Sequence, residues 1–137
     1  MKAIIDTNIL IDVLAFRQPF EENAKLILKK CYDKDVEGFV SAHSITNIFY
    51  ILRKTYSVED RKLLLQNLCN LLEVVEINQN FILSSLADRT FDDIEDFLQL
   101  ECAKKINADY IITRNAEDFP NSPVPAITPT EFLKIHN

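Results

Sequence analysis

Five short apolar runs punctuate the chain: Lys2 to Ile5, Gly38 to Ser41, Val74 to Ile77, Tyr110 to Thr113 and Val124 to Ile127. Between them lie longer stretches in which apolar residues return every three or four positions. Short continuous runs suit strands buried on both faces, and the three-to-four repeat suits helices with one face on a core. Glu21 to Asp33 places Ala24, Ile27, Leu28 and Cys31 on one stripe, and Ser44 to Lys54 and Val58 to Leu72 repeat the pattern. Ser44 and Ser57 stand where N-caps are expected. Two more helices, Phe81 to Asp88 and Ile94 to Ile106, precede the fourth run, and Thr128-Pro129-Thr130-Glu131 reads as the capped start of a last helix. Strands alternating with helices predict an α/β domain around a parallel sheet. No repeat or linker divides residues 1–137, so one domain is expected.

Composition narrows the chemistry. Of 137 residues 47% are hydrophobic, enough for one core. Gly38 is the only glycine, which excludes the dinucleotide fingerprint and the P-loop, since both need several. The 21 acidic residues exceed the 15 basic ones, and the net charge of -6 opposes a broad basic face for nucleic acid. Binding nucleic acid would therefore need metal ions or a local basic rim. Cys31, Cys69 and Cys102 have no ligand spacing and read as buried, reduced thiols of a cytoplasmic protein. The first acid comes too soon for a signal peptide, and no apolar run approaches the roughly 18 residues of a membrane span. A soluble, cytoplasmic protein with no membrane contact is expected.

In an open parallel sheet ligands collect beyond the carboxyl ends of the strands. Asp6 directly follows the first run, Asn115 comes just after the fourth, and Asp118 lies three residues further on. Asp6 would serve equally as the N-cap of the helix that Thr7 opens. In Asp92-Asp93-Ile94-Glu95-Asp96, a helix start accounts for Asp92 and Asp93 through its dipole. Asp96 lies further in and shares a face with Asp93, where like charges repel unless a cation sits between them. His43 and His136 have no nucleophile or histidine partner and read as surface or capping residues. The basic pairs Arg53-Lys54, Arg61-Lys62 and Lys104-Lys105 read as solvated helix faces. Arg114 stands at the pocket's edge as a cation that any nucleic-acid backbone would need, and Tyr50 could stack a base there.

Four stretches, taken in order, carry a family resemblance: Ile4-Ile5-Asp6-Thr7-Asn8-Ile9-Leu10-Ile11-Asp12, Ser41 to Lys54, Asp93-Ile94-Glu95-Asp96-Phe97-Leu98-Gln99, and Ala108 to Phe119 with Thr113-Arg114-Asn115-Ala116-Glu117-Asp118-Phe119 at its end. The chain resembles the PIN-domain family of metal-dependent ribonucleases, many of them toxins of bacterial toxin-antitoxin pairs. The resemblance implies a three-layer α/β/α sandwich around a parallel sheet of four or five strands. It also implies acids converging on one or two Mg²⁺ or Mn²⁺ ions, which take oxygen ligands. Asp6 matches the first family acid and Asp96 the third. The second, usually glutamate, is Asn47 here, and the place of the fourth is held by Asn115, with Asp118 expected to take over.

On that reading Asp6, Asp96 and Asp118 are catalytic and bind the metal, with Asp93 a further metal-binding acid. Thr7 and Asn8 orient Asp6 from behind or bond a phosphate, Asn47 and Asn115 are neutral contributors, and Arg114 meets RNA at the rim. Asp6, Asp96 and one of Asp93 or Asp118 are expected within metal-bridging distance. The two amides remove two negative charges, which predicts weakened metal binding. The expected activity is endonucleolytic hydrolysis of RNA phosphodiester bonds; the alternative is a silent PIN-like domain that binds RNA or protein. An antitoxin is an expected partner, and so is a second copy of the chain, given the apolar surplus of Ile48, Phe49, Ile51, Leu52, Leu63, Leu64, Leu65, Leu68, Leu71 and Leu72. A haloacid-dehalogenase-type phosphatase would need an acid where Asn8 stands, and a phospho-acceptor receiver domain would need one at Asn78.

Overall fold

The computed structural model describes residues 1–136. β1 (Lys2–Ile5) leads through α1 (Thr7–Leu14) and α2 (Glu21–Tyr32) to β2 (Glu37–Ser41). α3 (Ala42–Ile51), a 3₁₀ turn at Leu52–Lys54 and α4 (Val58–Leu71) follow, then β3 (Glu73–Val75), α5 (Gln79–Ala87) and α6 (Ile94–Lys105). β4 (Tyr110–Ile112), a 3₁₀ turn at Ala116–Asp118, β5 (Ala126–Ile127) and α7 (Pro129–Ile135) complete the described chain. The five strands form one parallel sheet in the order β3-β2-β1-β4-β5.

Alternation along each strand divides the core in two, because successive side chains point to opposite faces. Ala3 and Ile5 of β1, Val40 of β2 and Ile112 of β4 pack with Ile9, Ile27, Ile48, Leu68 and Phe132 on one face. Ile4, Phe39 and Ile111 face the other way, onto Leu100, Cys102 and Ala103 of α6. The result is the three-layer α/β/α sandwich, with five strands. Gly38 is required by packing: a Cβ there would lie 2.5 Å from Leu72 Cδ2 and 2.6 Å from Cys31 Sγ.

Several local expectations shift. The helix expected from Ser44 begins at Ala42 with Ser41 as its N-cap, so Ser44 lies inside it and is free for another bond. Ser57 and Thr128 do cap, accepting from the amides of Asp60 and Glu131. Cys31 and Cys102 are buried, whereas Cys69 is exposed because it falls on the outer face of α4. The apolar surplus of α4 is largely absorbed: Leu65, Leu68 and Leu72 are buried, leaving Val58 and Leu63 exposed. Among the described residues no helix is long and apolar enough to cross a membrane.

Candidate active site

Because β1 lies between β2 and β4, its carboxyl end opens at the middle of the sheet. Asp6 sits there, 8% exposed, as the N-cap of α1. Its Oδ1 accepts from the Thr7 amide at 2.8 Å and from Gln99 Nε2 at 3.1 Å, and its Oδ2 accepts from Thr113 Oγ1 at 2.7 Å. Among the described residues no lysine or arginine pairs with it. Burial raises its pKa, and these hydrogen bonds work against that rise. Two donors fill Oδ1, while Oδ2 keeps a lone pair.

The donors are themselves braced. Gln99, 1% exposed, also gives its Nε2 to Ser44 Oγ at 3.1 Å, and Ser44 shares hydrogen bonds of 2.7 Å with Thr7 and with Ser41. Thr113 Oγ1 accepts from the Asn115 amide at 3.1 Å and from Asn8 Nδ2 at 3.4 Å. Thr7 thus orients Asp6 through its amide and Asn8 acts through Thr113. One polar network ties α1, α3, α6 and the loop after β4 to the end of β1.

Asp96 lies half-buried in the first turn of α6. Burial, joined by the charges of Asp93, Asp6, Asp118 and Glu95, pushes its carboxyl up to about 7. Asp93 caps the helix, accepting from the Glu95 amide at 2.8 Å. Asp92, Asp93, Asp96, Glu117 and Asp118 line a hollow of about 320 Å³. Glu95 points across to α3, where Asn47 Nδ2 donates to both its oxygens, at 3.2 Å each. Burial first, then Asp93 and Asp6, raise its pKa.

These acids act on one another, yet the expected metal-bridging distance is not met. Among the described residues no three metal-ligating side chains stand close enough together to enclose an ion. Three bonds draw Asp6 into the floor, Asp93 is engaged in capping, and the like charges repel. The donor set nevertheless fits a hard divalent cation: every group is an oxygen donor, and Mg²⁺ keeps several waters and needs only one or two carboxylates directly.

Other expected residues are engaged elsewhere. Arg114 Nε lies 2.7 Å from Oδ2 of the fully buried Asp12, with its guanidinium 4.0 Å over the Phe20 ring. It is half-buried there, and with Asn115 it lines a separate cleft of about 510 Å³. Arg61 is buried and donates to the Phe49 carbonyl at 2.8 Å, and Lys104 pairs with Glu101. Arg53 stacks 3.8 Å over the exposed Tyr50. His43 is half-buried with a pKa lowered by burial, and His136 takes a capping place, as C-cap of α7, with its ring 4.7 Å from that of Phe132. Sequence reasoning missed Glu95, Gln99, Ser44 and Thr113 as members of the site. Gln99 carried a signal, a polar residue one turn after Asp96 in a helix otherwise committed to the core.

A family model described as PIN domain matches residues 2–117. The chain is 23% identical over 142 residues to Ribonuclease VapC1 of Aquifex aeolicus (strain VF5), spanning 99% of this chain and 96% of that protein. A chain of a toxin-antitoxin complex from Klebsiella pneumoniae superposes with a TM-score of 0.68 at 24% identity, covering 93% of this chain and 97% of that one. A chain of VapBC2 from Rickettsia felis, bound to a DNA fragment from their promoter, superposes with a TM-score of 0.67 at 18% identity, covering 93% and 98%. At these identities the superpositions establish the fold.

Proposed function

The chain belongs to the PIN-domain family, and from that premise we propose that it is a Mg²⁺- or Mn²⁺-dependent endoribonuclease, the toxin of a toxin-antitoxin pair. One observation carries this reading: Asp6 is buried at the carboxyl end of the central strand on neutral donors alone, and its charge bears on Asp96. A negative charge held in place and left uncancelled is suited to a cation from outside.

When bound, such an ion supplies a water activated for attack on phosphorus and neutralises charge in the transition state. Asp6 would hold it through the open lone pair of Oδ2, and Asp96 through a carboxylate that must first lose the proton kept up to about 7. Asp118 and Asp93 would join in holding it, while Gln99, Ser44 and Thr113 keep Asp6 from turning away. With a net charge of -6, RNA must be met locally. The Tyr50–Arg53 pair, one turn beyond Asn47, offers a stacking ring and a cation. Arg114, committed to Asp12, supports the loop after β4.

The relatives' company suggests an antitoxin, whose carboxyl segment would cover the acids with an arginine. A cytoplasmic setting and a homodimer complete the proposal, the latter to be checked by sedimentation. The decisive experiment is cleavage of total RNA with Mn²⁺, with Mg²⁺ and with a chelator, comparing wild type with Asp96→Asn, alongside melting curves against each ion. Cleavage abolished by the chelator and by the substitution, with a melting temperature that rises with Mn²⁺, is the expected result. No cleavage and flat melting curves would instead favour the silent binding module.

A further inference from the structure

We propose that Glu95 supplies the carboxylate missing at position 47, and that Asn47 is the positioning residue that holds it over the site. The inference rests on the metal-dependent reading above and concerns which side chains serve it. α3 and α6 approach each other at one polar contact, Asn47 Nδ2 lying 3.2 Å from both Oε1 and Oε2 of Glu95. An amide nitrogen placed evenly between two carboxylate oxygens fixes the direction in which the carboxylate points. It occupies one lone pair on each oxygen and leaves the others open.

The pairing also explains why position 47 carries an amide. A glutamate there would set two carboxylates against each other across this contact, and like charges so close are costly unless a cation separates them. One negative charge therefore serves both positions, and it resides on α6. The two amides at positions 47 and 115 do not lower the charge of the site by two, because Glu95 returns one. Glu95 is placed to the same purpose as Asp96, since both lie within reach of the charges of Asp6 and Asp93.

Mn²⁺ calorimetry on the folded full chain tests this, with melting curves to confirm that each variant is folded. Glu95→Gln keeps shape and removes charge, and affinity should fall about ten- to a hundredfold, the usual cost of losing a supporting ligand. Asn47→Ala keeps the charge and frees the carboxylate, so the loss should be smaller. The swap N47E/E95Q moves the carboxylate to α3 and the amide to α6, and should recover most of the affinity. Glu59→Gln, an equal loss of charge at an exposed position of α4 outside the site, should leave affinity near wild type. Unchanged affinity in Glu95→Gln beside a collapse in Asp96→Asn would remove Glu95 and leave the ribonuclease site standing. Equal losses in Glu95→Gln and Glu59→Gln would reduce the effect to general charge and overturn the proposal. Wild-type affinity in Asp6→Asn and Asp96→Asn as well would sink the metal-dependent reading itself, and Glu95 with it.

Discussion

Two buried aspartates mark the two ends of α1, and their surroundings differ in one respect. Asp12, with no exposed surface, has a guanidinium against it, the Arg114 Nε at 2.7 Å. Asp6, at 8% exposure, has an amide, a glutamine and a threonine. Burial raises both pKa values, and at Asp12 the charge of Arg114 opposes the rise. A buried charge must be compensated, but the compensation can be a counter-ion or only oriented dipoles. The first kind makes a structural tie, here between α1 and the loop after β4. The second holds a carboxylate still without cancelling it, which is what a cation site requires.

Removing the counter-ion should therefore do the greatest damage. Arg114→Ala strands Asp12 as an unpaired buried charge, and urea unfolding should show a loss of about 3–5 kcal/mol. If the loss is under 1 kcal/mol, roughly that of a surface pair, the contrast between the two aspartates disappears. Gln99→Leu removes one donor from Asp6 and one from Ser44, and should cost about 1.5–3 kcal/mol, the range for a hydrogen bond to a charged group. Asp6→Asn should cost less than about 1 kcal/mol, because asparagine caps a helix about as well as aspartate. Mn²⁺ affinity should nevertheless collapse in that variant, separating the role in binding from the role in stability.

A further effect is a slope with pH. The Asp96 carboxyl stands at about 7 in the fold against an ordinary 3.8, so below that lower value both folded and unfolded chains carry the proton. As the pH rises from 3.8 to about 7 the unfolded chain loses its proton first, and the contribution of Asp96 to stability is lost across that window. Denaturation at several pH values should show this decline, and Asp96→Asn should flatten it. Mn²⁺ affinity should climb over the same window, since binding must displace the proton.

Much of this was legible in the chain. β1, β2 and β4 could be placed because a strand buried on both faces is apolar at every position, as Ala3-Ile4-Ile5 and Tyr110-Ile111-Ile112 are. Asp6 and Asp96 stood out because each interrupts an apolar pattern at the start of a helix. What could not be read were partnerships between distant residues. That Arg114 would pair with Asp12, and that Glu95 would meet Asn47, depend on how α1 and α3 lie against their neighbours. Ser44 was misplaced for a local reason: Ser41 and Ser44 both suit an N-cap, and the helix begins after the earlier one.

The sheet order has a consequence for synthesis. β1 is made first, but it is the central strand, and its second neighbour, β4, is made some hundred residues later. Until Tyr110–Ile112 has left the ribosome, one edge of β1 stays unpaired and Asp6 has no Thr113 to hold its Oδ2. Contacts so far apart along the chain form late. The site is therefore assembled only once the chain has been made through β4, and a fragment that stops before β4 contains Asp6 and Asp96 without the Thr113 that holds Asp6 in place.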